Sequence, residues 1–117
     1  MKEPKPTATI QFFKGINEGS IPEIRLTRSK DGKTGRAFFI FEKPEALNYE
    51  NFKEIKGMFL LDEEGQITTR DVNLTVSNGK YSSIKAIYNW KSDQDFNRFM
   101  RFAKRYAEDH GLGYTEN

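Results

Sequence analysis

The sequence holds one long stretch of helical periodicity, and it comes after everything else. Phe96, Phe99, Met100, Ala103, Tyr106 and Ala107 recur at helical spacing, with Phe102 at the border of the stripe and Arg98, Arg101 and Arg105 opposite it. Ser92 stands ahead of this stretch as an N-cap, with Asp95 three positions on as an imperfect capping box, and Gly111 provides a stop. Upstream, the apolar residues fall in short runs or alternate at period two. A run of strands followed by one long helix argues for an antiparallel sheet with helical cover on one face. The expected class is α+β, with about five to six strands and the long C-terminal helix packed on one face.

Residues 10–13 and 22–28 are the first strand candidates, separated by a loop at 15–20. In the second, Ile24 and Leu26 point one way while Glu23, Arg25 and Thr27 point to a wet face. Residues 37–41 are apolar on both faces, which predicts a strand in the middle of the sheet covered on both sides. Pro44 ends it, and 45–52 reads as a short helical turn or an irregular loop. Residues 58–61 form the next strand, and Asp62-Glu63-Glu64-Gly65 turns it into another running from near Gln66 to Val76. Asn78-Gly79 then returns the sheet through residues 81–90. A strict two-residue turn there would set Val72, Leu74 and Val76 opposite the face of Ile84, Ala86 and Tyr88, so the pattern predicts a one-residue bulge beside the turn.

With 117 residues, the chain supports one domain, burying roughly 65% of its unfolded surface. That domain is expected over 10–114, with flexible segments at 1–9 and 115–117. The absence of cysteine removes disulfides, thiolate nucleophiles and Cys-ligated zinc, and fits a reducing compartment. The single histidine, His110, falls at the end of the helical pattern, where an imidazole caps carbonyls or is solvated. Mean hydropathy is −0.78 and no apolar run approaches the ~20 residues of a membrane span. Residues 1–9 are polar, carry two prolines and lack an apolar signal core, so no import signal is expected there.

Charge is blocked along the chain. Residues 25–36 carry five basic side chains, Arg25, Arg28, Lys30, Lys33 and Arg36, against one acidic; residues 42–71 carry eight acidic against four basic. Residues 85–105 carry six basic against two acidic. Such blocks favour an oriented dock on a charged partner. Within the first block, Gly32-Lys33-Thr34 matches the last three letters of a phosphate-binding loop, but Thr27 occupies the first-glycine position and a strand follows where the helix should begin. The stretch reads as a hairpin turn, with Gly32 and Gly35 each free to take positive φ. Asp62, Glu63 and Glu64 read as a solvated turn, since consecutive carboxylates diverge and no histidine stands near. No Ser-His pair or nucleophile elbow is present, so the chain is read as no enzyme, with no catalytic residue, metal or cofactor. Two binding classes remain. One is a single-stranded RNA or DNA module using the basic hairpin, which the acidic middle of the chain would oppose. The other is a protein-docking module, in which arginines fix register and a free strand edge accepts an extended tail.

The stretch from Ile21 to Gly32, IPEIRLTRSKDG, resembles the opening signature of the photosystem II reaction centre W protein family, also called the psb-twenty-eight family. The likeness continues through GMFLLDEEG from Gly57, through Asn78-Gly79-Lys80, and through RFMRF from Arg98, RYAE from Arg105 and Gly111-Leu112-Gly113, covering nearly all of 10–114. It implies a small non-catalytic factor without pigment, metal or cofactor, folded as an antiparallel sheet with helices around it. The implied role is photosystem II assembly. Such a factor would sit peripherally on thylakoids, on the cytoplasmic or stromal side, against reaction-centre proteins and the inner antenna chlorophyll protein of assembly intermediates. On this reading nucleic acid is not a partner and the chain is a monomer. Phe96 stands where many members have tryptophan, Ala103-Lys104 where they have Met-Glu, and Lys56 where threonine is usual, which makes the helix more basic. The expected docking patch is Arg25, Arg28, Lys30, Lys33 and Arg36, with Arg98, Arg101 and Arg105 as a second candidate.

Overall fold

Among the described residues, alternation of apolar and polar side chains resolves into eight strands, all paired antiparallel and arranged as two sheets rather than one. The first sheet has the order β2-β1-β5-β6, from β1 (Ala8–Phe13), β2 (Ile16–Asn17), β5 (Met58–Asp62) and β6 (Gly65–Thr69). The second has the order β3-β4-β8-β7, from β3 (Glu23–Arg28), β4 (Gly35–Glu42), β7 (Asp71–Ser77) and β8 (Lys80–Trp90). Helix α1 (Asp93–Asp109) follows, and 3-10 turns at Glu45–Asn48 and Phe52–Glu54 fill the link from β4 to β5. The structure is a computed structural model describing residues 7–112. Of the flexible segments expected at 1–9 and 115–117, residues 1–6 and 115–117 lie outside the described residues, while residues 8 and 9 belong to β1. Strand β1 begins at Ala8, tied down where the backbone N–H groups of Thr7 and Ala8 donate to Asp109 Oδ2 at 2.7 and 2.8 Å.

Two sheets arise because the single strand expected from Gln66 to Val76 breaks at Arg70. Val72 N donates to the Arg70 carbonyl at 3.0 Å, while the Thr69 hydroxyl donates to Ile87 O at 2.5 Å and accepts from Asp71 N at 3.2 Å. The chain thus leaves one sheet and enters the other within two residues. The alternation records this: Ile67 is buried in β6, yet the inward residues of β7 are Val72 and Leu74, an odd number of positions away.

The turn expected at Asn78-Gly79 forms with positive φ at both residues, 53° and 78°. The register shifts between Thr75 and Val76, leaving Ser82 as the extra residue of the predicted bulge, so Val72 faces Ala86 and Leu74 faces Ile84. Strand β4 is interior, between β3 and β8. Only one of its faces is fully covered, however. Ala37, Phe39 and Phe41 are buried, but Phe38 and Ile40 are half-buried on the outer face, because α1 packs on the inner side alone.

Helix α1 lies against β1 and β5 of the first sheet and β8 of the second, closing the core over both. Phe99 meets Phe39 edge-on at 6.0 Å and Trp90 face-on at 6.1 Å, while Phe12 and Phe41 join the two sheets at 4.9 Å. Phe102 belongs to the centre of the helical stripe rather than its border, being fully buried beside Tyr106. The Ser92 side chain accepts from Asp95 N at 3.1 Å, the cap read from sequence. His110 is the C-cap residue, and its ring packs on Tyr106 at 4.2 Å. Burial pushes the Tyr106 phenol up to about 12, with the Glu18 carboxylate adding to the effect.

Candidate docking surface

Residues Ser29 to Thr34 form the turn between β3 and β4, and the turn is held by its own atoms. Ser29 N donates to Thr34 O at 2.9 Å and Gly32 N to Ser29 O at 3.0 Å, with Gly32 at φ 75°. The Asp31 carboxylate accepts from the Ser29 hydroxyl at 2.5 Å and from Lys33 N at 2.9 Å, and these two bonds hold its pKa below the usual carboxylate value. The aspartate is therefore spent on shaping the turn. β4 rather than a helix follows Gly32-Lys33-Thr34, so the loop does not lead into a helix as a phosphate-binding loop does.

Gly35 has a different role from the one read in the sequence. It is the first residue of β4 and its φ is not positive; a Cβ there would stand 2.3 Å from Trp90 Cζ2 and 2.4 Å from Thr27 O. The missing side chain lets the buried indole lie flat under the hairpin.

The five cations of the first block divide by place: Arg25, Arg28 and Arg36 lie on strands, where parity sets their face, and Lys30 and Lys33 lie in the turn. Arg28 belongs to the inward set of β3 with Ile24 and Leu26, and its guanidinium lies 4.2 Å from the Phe96 ring centroid while donating to Gly32 O at 3.0 Å. Arg25 points outward and forms an exposed pair with Glu23 at 2.9 Å. Lys30, Lys33 and Arg36 are exposed, and no carboxylate pairs with them among the described residues. Below them is a groove of about 500 Å3 lined by Arg28, Arg36, Phe38, Asn89, Trp90 and Lys91 among others, with no acidic residue in its wall. Strand β3 is the edge of its sheet, and Leu26 is 37% exposed there.

The helix arginines are placed in the opposite situation. Asp62 shares the inward parity of Met58 and Leu60, and its side chain has no exposed surface. Arg98 donates to both its oxygens at 2.9 and 2.6 Å, and Arg105 to Oδ2 at 2.8 Å. Burial raises the Asp62 pKa, but the hydrogen bonds from Arg98 and Arg105 outweigh it and leave the carboxyl below its ordinary value. Glu64 is held at about 2 by hydrogen bonds from Arg101 and Arg105, with contacts of 2.8 to Arg101 and 2.5 Å to Arg105. Glu63 adds a pair to Arg105 at 3.2 Å. The solvated turn expected at 62–64 is thus corrected: it is a clasp that neutralises three guanidinium groups. The signal was present in Met58, Leu60 and Asp62 sharing one face at period two.

Comparison with known proteins gives one consistent result. The family model described as Psb28 protein matches residues 10–114. The Photosystem II reaction center Psb28 protein of Synechococcus sp. (strain CC9902) is 56% identical over 117 residues, covering 100% of this chain and 89% of that protein. Its namesake in Synechococcus sp. (strain WH7803) is 59% identical over 110 residues, or 94% of this chain and 85% of that protein. A third relative of the same name, in Prochlorococcus marinus (strain MIT 9211), is 54% identical over 115 residues, covering 98% of each chain.

Proposed function

The chain belongs to the Psb28 family, and from that premise we propose that it is a non-catalytic assembly factor of photosystem II. It docks peripherally on reaction-centre and inner-antenna intermediates, at the cytoplasmic or stromal face of the thylakoid. The relatives' name, Photosystem II reaction center Psb28 protein, supplies the complex. No described helix is long and apolar enough to cross a membrane, consistent with a peripheral position.

The observation that carries the reading is the hairpin's uncompensated charge. Lys30, Lys33 and Arg36 stand exposed beside the edge strand β3, with Arg25 and Arg28 held by neighbours in the same hairpin. Loops and tails of membrane subunits, or anionic headgroups beside them, meet such a patch favourably. An exposed contact contributes only about 0.2–1 kcal/mol, so affinity comes from several cations together, and from strand pairing along the β3 edge if a partner tail extends the sheet. Arg98, Arg101 and Arg105, the second candidate, have carboxylate partners within the fold and contribute less.

The test is fractionation of thylakoid complexes from cells carrying the wild-type chain or the Lys30→Glu/Lys33→Glu/Arg36→Glu variant. The wild type should migrate with partly built photosystem II, and the variant should be released into the unbound fraction. Equal capture of both would remove the hairpin from the interface.

A further inference from the structure

The outer face of the first sheet carries a second cationic groove that the hairpin reading does not use. Its floor is Phe59 of β5, its wall is Gln66 and Thr68 of β6, and Lys14, Lys56 and Arg70 stand around it. We propose that this groove binds an acidic peptide segment of a partner, an extended stretch in which carboxylates flank an apolar side chain. The proposal goes beyond the docking role of the hairpin and is independent of it.

Charge complementarity names the occupant. Three cations face the groove against one carboxylate, Glu54. Among the described residues no carboxylate pairs with Lys14, Lys56 or Arg70, in contrast to the arginines of α1. The backbone next to Lys56 is close-packed: Gly57 is buried on β6, where a Cβ would stand 3.0 Å from Thr69 O. The ammonium of Lys14 lies 5.5 Å from the Phe59 centroid, which fixes a positive charge above an apolar floor. Gln66 Nε2 donates to Thr68 Oγ1 at 2.9 Å, leaving the Gln66 carbonyl oxygen and the remaining donors of both side chains for a peptide backbone.

Shape separates a peptide from the other polyanions. The groove is open to solvent and measures about 980 Å3, far more than a lone carboxylate fills. A planar bilayer surface does not reach into a concavity whose floor residue, Phe59, is half-buried. Lys14 stands over the Phe59 ring, the face on which a base would stack at the floor.

The experiment is fluorescence anisotropy on the full chain with a labelled peptide of alternating glutamate and leucine, beside its glutamine and leucine analogue. The acidic peptide should bind and the analogue should not. Lys56→Glu/Arg70→Glu should weaken binding about tenfold, the loss expected for reversing two exposed contacts. Lys30→Glu/Lys33→Glu should leave it unchanged. A thermal melt of each variant confirms folding, and Lys56→Gln/Arg70→Gln should give an intermediate loss. Failure of the acidic peptide to bind, equal binding of the analogue, or a loss caused by the hairpin variant alone overturns the proposal. So does flotation with phosphatidylglycerol vesicles that Lys56→Glu/Arg70→Glu abolishes while peptide binding survives. None of these outcomes alters capture of photosystem II intermediates through the hairpin, which the fractionation reads separately.

Discussion

The β3–β4 hairpin and helix α1 carry similar densities of positive charge, and the fold uses them in opposite ways. In α1, Arg98, Arg101 and Arg105 meet Asp62, Glu63 and Glu64 within 2.5 to 3.2 Å. In the hairpin turn, Asp31 is turned onto Ser29 and Lys33 N, so the turn's one carboxylate shapes the loop instead of neutralising it, and Glu23 of β3 pairs with Arg25 alone. What separates the two regions is where the acids lie. An acidic turn 36 residues before Arg98 is brought under the helix by the pairing of β5 with β6, whereas nothing acidic is brought over the hairpin. Equal stretches of basic sequence thus become a structural clasp in one place and an open surface in the other.

The comparison breaks most severely at Asp62. Asp62→Ala leaves Arg98 and Arg105 without their shared partner under the helix, and should lower stability by about 3 kcal/mol, read as a shift in the urea midpoint with unchanged slope. A change below about 0.5 kcal/mol, the range of ordinary surface substitutions, would mean the clasp is ornamental. Acid should open the same clasp more gradually. Glu64 sits at about 2 in the folded chain against an ordinary 4.5, so its stabilising share is fully present above 4.5 and is lost as pH falls toward 2. Melting temperature should decline through that window, and Glu64→Gln should flatten the decline. The smallest effect belongs to the hairpin: Lys30→Glu/Lys33→Glu should move the urea midpoint by less than about 0.5 kcal/mol equivalent, because neither side chain has a partner to lose. A larger shift would show that the loop's charge is structural after all.

The element types and the helix cap were legible in the sequence because they depend on local spacing. So was the bulge, since only a one-residue slip lets Val72 and Leu74 share a face with Ala86 and Ile84. The division into two sheets was not, because Thr69, Arg70 and Asp71 look like ordinary strand residues and the break is enforced from a distance, by Thr69 bonding to Ile87. The hairpin's position was legible as a basic turn between strands. The inward turn of Arg28 onto Phe96 and the clasp at Asp62 were not, because each pairs residues dozens of positions apart. Gly35 was misread for a related reason: its requirement comes from Trp90, which reaches it only after β4 pairs with β8.

The helix that covers both sheets is also the last described element to be synthesised. Until Phe96, Phe99, Phe102 and Tyr106 are joined to the chain, the inner sides of β1, β5 and β8 lack the helix that covers them. A nascent molecule therefore passes through a sticky, half-finished interval that ends only when translation reaches the arginine-bearing segment, which makes that interval the natural moment for chaperone capture or aggregation.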